Sequence, residues 1–208
     1  MSIHVGPCVF RFRAKFHSQK LEQMPIFGTC LSSVKEATLA SAGAGEAVTT
    51  EELLAAARGI MAQSEYCWAV TASAEGRANA RVMGRVASVP DEDEWTVWFL
   101  VSRRSRKATE VADSGCVTAA YSNSTLTKYA VLLGPAVLVE DRSVIARRWQ
   151  ESWNSLFAQG KHDPDIAFIK LEPDRMEVFV EGMQRYVVLE RDRGSGWRLV
   201  PSEPSGPR

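Results

Sequence analysis

The spacing of apolar and polar positions changes several times along the chain, and each change predicts an element. From Thr49 onward Leu53, Leu54, Ala57, Ile60 and Met61 recur at helical spacing, and Thr49 followed by Glu52 is the pattern of a capping box. A helix is predicted there. Residues 66–71 then form a short strand, the polar stretch 73–79 a turn, and residues 81–86 a second strand. An acidic turn over 90–94 leads into 95–101, which is apolar almost throughout and is predicted to be covered on both faces. Residues 105–113 are helical in composition, and 116–121 and 128–139 read as strands. Gly134-Pro135 interrupts the second of these, as at an edge, a bulge or a barrel corner. Asp141 or Ser143 can cap a longer helix with Ile145, Trp149, Ser152 and Leu156 on one face, broadened by Trp153 and Phe157. After a turn at 162–165, strands are predicted at 166–171, 176–180 and 186–189.

Short hairpins with helices set between them argue against a βαβ series. The predicted fold class is all-β with peripheral helices, a small split β-barrel that hides its sheet edges. This domain is assigned to residues 48–192. Residues 1–47 read as an N-terminal extension in which VFRFRAKF can form one strand and LASAGAGEA, residues 39–47, is a flexible linker. Residues 193–208 are assigned to a mostly flexible tail.

Composition narrows the class without changing it. The chain has 208 residues, enough for one sizeable core, and 45% apolar with 24% charged residues is the balance of an ordinary globular protein. Lysine plus arginine equals aspartate plus glutamate at 25 each, so global charge recruits neither nucleic acid nor a membrane surface, and neither is expected as a partner. No apolar run approaches the roughly eighteen residues of a membrane span. The N-terminus mixes basic and apolar residues, unlike a secretory signal, so a cytoplasmic protein is expected. Cys8, Cys30, Cys67 and Cys116 are scattered without a Cys-x-x-Cys pair, and no metal site is expected.

The densest candidate chemistry is the run Ser102-Arg103-Arg104-Ser105-Arg106-Lys107, which follows an apolar strand and opens a predicted helix. A helix start is already electropositive, so added cations are unfavourable there unless an anion joins them. A phosphate could accept from the backbone N–H groups, Ser105 and Lys107. The other readings are a solvated charge run and a contact with nucleic acid, the latter without the interleaved aromatic residues such a surface uses. Arg81 shares a strand face with Met83. It could hold a phosphate while Met83 packs on a planar ring, or it could end a hairpin at the solvent edge.

These residues carry a resemblance. Arg81-Val82-Met83-Gly84, Trp98-Phe99-Leu100-Val101-Ser102 and Ser105-Arg106-Lys107 are followed by Gly134-Pro135 with its succeeding apolar run, Trp149 and Asp163-Pro164-Asp165. In that order and spacing the chain resembles the pyridoxamine 5'-phosphate oxidase-like, FMN-binding split-barrel superfamily, and within it the general stress protein 26 type. The resemblance covers about residues 50–182. It implies a flavin mononucleotide cofactor (FMN) whose phosphate is held by Arg81 and Lys107, with Ser105 and Arg106 beside them. It implies that Val82 and Met83 lie along the isoalloxazine and that Leu100, Val101 and Ser102 face it, with Phe179 packing on a ring. It also implies a homodimer with flavin sites at the subunit interface, for which Trp149 and Trp153 offer apolar area. A nicotinamide or another small redox substrate would be the second reactant.

The chain departs from the oxidases proper. They carry a tyrosine and a threonine where this sequence has Leu100 and Val101, and a C-terminal Trp followed by Arg-x-His that Gly196-Trp197-Arg198-Leu199 only echoes. Where the stress-protein pattern has Glu-Tyr-Trp, this chain has Glu177-Val178-Phe179. Vitamin B6 synthesis is therefore not expected. The expected function is an FMN-binding flavoprotein, an oxidoreductase of undetermined substrate in a stress-related role. The alternatives are a flavin-binding or flavin-sequestering protein without turnover, and a split-barrel dimer that has lost the cofactor.

Overall fold

Thr49 caps the first helix as its sequence predicts. Its hydroxyl accepts from the Glu52 N–H at 3.3 Å, and the Glu52 carboxylate accepts from the Thr49 N–H at 2.8 Å. Helix α1 (Thr50–Gln63) then buries Leu53, Leu54, Ala57, Ile60 and Met61. The structure, a computed structural model, describes residues 48–183, 186–192 and 196–200. The N-terminal extension with its VFRFRAKF strand and linker, and residues 193–195 and 201–208 of the tail assigned to 193–208, lie outside the described residues, whereas residues 196–200 of that tail form a strand.

After α1 come β1 (Tyr66–Ala72), β2 (Ala78–Gly84), β3 (Val97–Ser102), α2 (Arg106–Ser114), β4 (Cys116–Ser122) and β5 (Tyr129–Val139). They are followed by α3 (Arg142–Arg148), two 3-10 turns (Glu151–Ser155 and Gly160–His162), β6 (Ile166–Leu171), β7 (Arg175–Phe179), β8 (Val187–Asp192) and β9 (Gly196–Val200). All strand pairings are antiparallel, and the described strands form one nine-stranded sheet of order β2-β1-β4-β5-β7-β8-β9. β6 branches from the second half of β5, and β3 pairs with β6 alone.

The branch point is Gly134. Before it β5 pairs with β7, and after it residues 136–139 pair with β6. A Cβ at Gly134 would lie 2.7 Å from the Glu172 carbonyl oxygen and 2.8 Å from the Asp174 nitrogen, so only glycine lets the crossing chain approach this closely. Gly134-Pro135 is thus a corner where one strand changes partners.

Two sequence expectations are corrected. The all-β split barrel is not what forms: helices pack on a mixed architecture whose sheet is not closed into a barrel. Closure would need β2 to ladder with β3, and among the described residues the one pairing near them is the isolated bridge Val86↔Trp98, two residues beyond the end of β2. The chain leaves β2 at Gly84 and turns away through the acidic loop, where Asp91 has a φ of 67°, so the ladder cannot propagate. The predicted long helix after Asp141 is also interrupted. Asp141 caps α3 by accepting from the Ser143 and Val144 N–H groups, but Trp149 is extended, with ψ at 135°, and a 3-10 turn follows. Trp149 packs edge-on to Trp153 and Phe157, with centroids 5.6 and 6.3 Å apart. This aromatic packing prevails over the helical period.

The main core lies between α1 and the inner sheet face, where Cys67, Ala69, Val117, Ala119, Tyr121, Leu132, Met176 and Val178 are buried. A second cluster of Val86, Trp98, Ile145, Ile166 and Phe168 lies under α3, with Trp149, Trp153 and Phe157 against it. There the fully buried Arg148 side chain stacks 3.7 Å from the Trp98 ring centre and pairs with Glu92.

Candidate functional site

β2 alternates exposed and half-buried positions, which sets Asn79, Arg81 and Met83 on the inner face and Val82 on the outer one. In the β1–β2 register Thr71 lies opposite Asn79 and Ala69 opposite Arg81. Across this corner runs α2, which starts after Ser105 and is stopped by Gly115 at a φ of 66°. The inner edge of β2 and the first turns of α2 therefore meet, and their polar side chains form one cluster.

Glu110 is its centre. It is only 5% exposed and sits one helical turn beyond Arg106 and Lys107. Its carboxylate accepts from Asn79 Nδ2 at 2.7 Å and from Arg81 Nη2 at 3.1 Å, and also from the Thr71 hydroxyl. Arg106 Nε lies 3.4 Å away as an i,i+4 pair. Arg81 Nη1 donates in turn to Thr71 Oγ1 at 2.5 Å. Burial pushes the Glu110 carboxyl up, but the Thr71, Arg81 and Asn79 contacts outweigh it and hold the group below the ordinary carboxylate value.

Two groups beside this network are not satisfied. The Ser105 Oγ is buried without a hydrogen-bond partner, although Ser105 occupies the N-cap of α2, where a side-chain oxygen ordinarily accepts from the helix. Lys107 is half-buried, with no acidic partner among the described residues. Burial, with the Arg81 charge second, holds its ammonium below the ordinary lysine value. Neither the orphan hydroxyl nor the desolvated cation at a helix start is favourable alone. A phosphate is the kind of group that accepts from a hydroxyl, an ammonium and the first N–H groups of a helix, so the donor types gathered at the start of α2 suit one.

The sequence-predicted residues do not all converge. Arg81, Ser105, Arg106 and Lys107 gather here, and Met83 packs against the main core on the same face. Ser102 turns away, its hydroxyl donating to Asp165 Oδ2 at 2.6 Å. Arg103 and Arg104 follow it, pairing with Glu140 and Asp165 at 3.7 and 3.6 Å. The basic run is thus split between two surroundings. Val101 is buried in the main core, while Leu100 packs on the second cluster. Val82 and Phe179 lie on the outer sheet face, where Phe179 stacks on Tyr129 at 5.4 Å with planes 14° apart. Thr71, Asn79 and Glu110 were missed by sequence reasoning. The available signals were an acidic residue one turn after Arg106-Lys107 and an asparagine two positions before Arg81.

Residues 54–190 match the family model described as pyridoxamine 5'-phosphate oxidase like. The chain belongs to the pyridoxamine 5'-phosphate oxidase-like family. Its fold is similar to a general stress protein 26-related protein of Clostridium acetobutylicum, at 13% identity and a TM-score of 0.59, over 68% of this chain and 96% of that one. A pyridoxamine 5'-phosphate oxidase-related, FMN binding protein of Nostoc punctiforme is similar at 14% identity and a TM-score of 0.57, over 77% and 100% of the two chains. General stress protein 26 of Bacillus anthracis aligns at 17% identity and a TM-score of 0.51, over 63% and 96%. No curated protein gives a significant match. No described helix is long and apolar enough to cross a membrane.

Proposed function

We propose that this protein is a flavoprotein that binds FMN by its phosphate at the β2–α2 corner. The observation that carries the reading is the half-buried Lys107 ammonium, which feels the Arg81 charge and has no acidic partner among the described residues, two positions after the buried Ser105 hydroxyl, which also lacks a partner among them. A phosphomonoester supplies the acceptors that these donors lack. Bound there, the flavin would supply redox chemistry, while the chain's residues fix its phosphate and shield it from water. An oxidoreductase acting on a nicotinamide or another small redox substrate is the activity such a site would host.

The protein is also proposed to work as a homodimer. The outer sheet face supports this, because Tyr66, Trp68 and Val82 are 57%, 53% and 53% exposed and adjoin one another on β1 and β2. Contiguous apolar surface of this kind favours a partner. Phe179 lies on the same face, so in a dimer it would be offered towards a second copy. Trp149 and Trp153 pack chiefly within their own chain.

Replacing Lys107 by alanine tests the phosphate assignment. Loss of a charge-assisted hydrogen bond is expected to cost about 1.5–3 kcal/mol, or roughly ten- to a hundredfold in FMN affinity. Riboflavin lacks the phosphate, and its binding is expected to change little. Flavin fluorescence quenching measures both. Equal losses for the two flavins would assign Lys107 to the ring or the fold, and no loss for either would move the phosphate elsewhere.

A further inference from the structure

A phosphate site is expected to hold its cations ready, yet Arg81 is already engaged. Two of its five N–H donors go to Thr71 and Glu110. Glu110 is surrounded as a phosphate oxygen would be, by a hydroxyl, an amide and two guanidinium groups drawn from β1, β2 and α2. Among the described residues the cluster sets three cations, Arg81, Arg106 and Lys107, around Glu110, and the one other carboxylate that couples to it, Glu75, is exposed to solvent.

We propose that Glu110 is a built-in counter-anion of the phosphate site, which balances Arg81 and Arg106 when no ligand is bound and thereby weakens the hold on a phosphomonoester. The inference rests on the phosphate reading above and concerns how tightly that site binds. Three N–H groups of Arg81 remain for a ligand, so Glu110 need not be evicted when phosphate enters. The two anions then share one guanidinium and repel each other across it. In a half-buried cluster that repulsion is poorly screened. The phosphate therefore gains less from Arg81 than it would from a free arginine. Such a site favours an exchangeable flavin over a permanently held one.

A purely structural anchor predicts the opposite sign. If Glu110 only positioned Arg81, removing its charge would loosen the guanidinium and weaken phosphate binding. The substitution Glu110→Gln separates the two, because glutamine keeps the shape and an acceptor oxygen for Arg81 and Thr71. The Asn79 amide can turn over to match the new donor.

The test uses the full chain. The E110Q apoprotein is expected to melt at a lower temperature than wild type, because buried cations lose their balance. FMN is expected to bind roughly tenfold more tightly, with riboflavin little changed. Unchanged or weaker FMN binding in E110Q would overturn the proposal. If neither protein binds FMN, the proposed flavin function falls, and inorganic phosphate decides the present inference separately. A larger phosphate-induced rise in melting temperature for E110Q than for wild type upholds it, and an equal or smaller rise overturns it. Asn79→Asp covers the case in which E110Q does not fold. A second carboxylate at the cluster is expected to weaken FMN, or the phosphate response where FMN is not bound, and to leave riboflavin unaffected. Indifference of FMN and phosphate to that charge would overturn the inference.

Discussion

Gly134→Ala tests the branch point of the sheet. The added methyl group would meet the Glu172 carbonyl oxygen at 2.7 Å, the Pro173 Cα at 2.8 Å and the Asp174 nitrogen at 2.8 Å. All three are backbone atoms, so no side-chain rotation relieves the clash. The same crossing chain is held by hydrogen bonds from the Glu172 N–H to the Pro135 oxygen at 3.0 Å and from the Asp174 N–H to the Leu133 oxygen at 3.1 Å. Moving it stretches both. Overpacking of about 1–3 kcal/mol, together with about 1 kcal/mol for each of the two weakened hydrogen bonds, sets a cost of about 3–5 kcal/mol. For a domain of this size that corresponds to a fall in melting temperature of roughly 6–20 °C. Gly59→Ala is the control. Gly59 lies within α1 with open space around its Cβ position, so alanine there is expected to stabilise by about 0.5–1 kcal/mol. Urea denaturation of both variants, read with the slope as well as the midpoint, checks the pair. A Gly134→Ala protein as stable as wild type would refute the close-approach argument and the strand crossing on which it rests.

Two further outcomes follow from buried groups. Arg148→Ala leaves Glu92 without its partner and empties the space over Trp98, so a loss of about 3–5 kcal/mol is expected, and chemical denaturation within the error of wild type would contradict it. Burial pushes the Cys67 thiol up to about 11, so its alkylation at pH 8 is expected to be at least about a hundredfold slower in the native than in the unfolded protein, followed on the Cys67 peptide by mass spectrometry; equal rates would contradict its burial.

Local patterns in the sequence translate well into this structure, and long-range decisions do not. The capping residues and apolar face of α1 are local, and both form as read. Residues 97–101 are covered on both faces, as the nearly continuous apolar run predicted over 95–101 implies. Barrel closure depends on whether two strands remote in sequence meet, and nothing in the periods of β2 and β3 encodes the turn that separates them. β9 was not predicted, because Gly196–Val200 is short and becomes a strand by pairing with β8. At the candidate site, Arg106 and Lys107 drew attention because positive charge at a helix start is locally anomalous, and Arg81 because strand alternation puts it on one face with Met83. Glu110 did not, since a glutamate four residues after an arginine is an ordinary surface pattern on a helix. Only the packing of α2 over β1 and β2 turns it inward.

The open edge at β2 gives Arg81 a second task. β3 is covered along its length, whereas among the described residues β2 ends the sheet with no strand paired on its other side and with apolar Val82 facing outward. Such an edge is a template onto which a strand of another molecule can add, and an inward-pointing charge obstructs the addition, because the incoming strand would have to bury it. Arg81 is such a charge, with its side chain 19% exposed and its guanidinium tied to Glu110. An apolar substitution at Arg81 would thus remove a barrier to aggregation, and poor solubility of such a variant would reflect the sheet edge whether or not Arg81 also serves the proposed phosphate site.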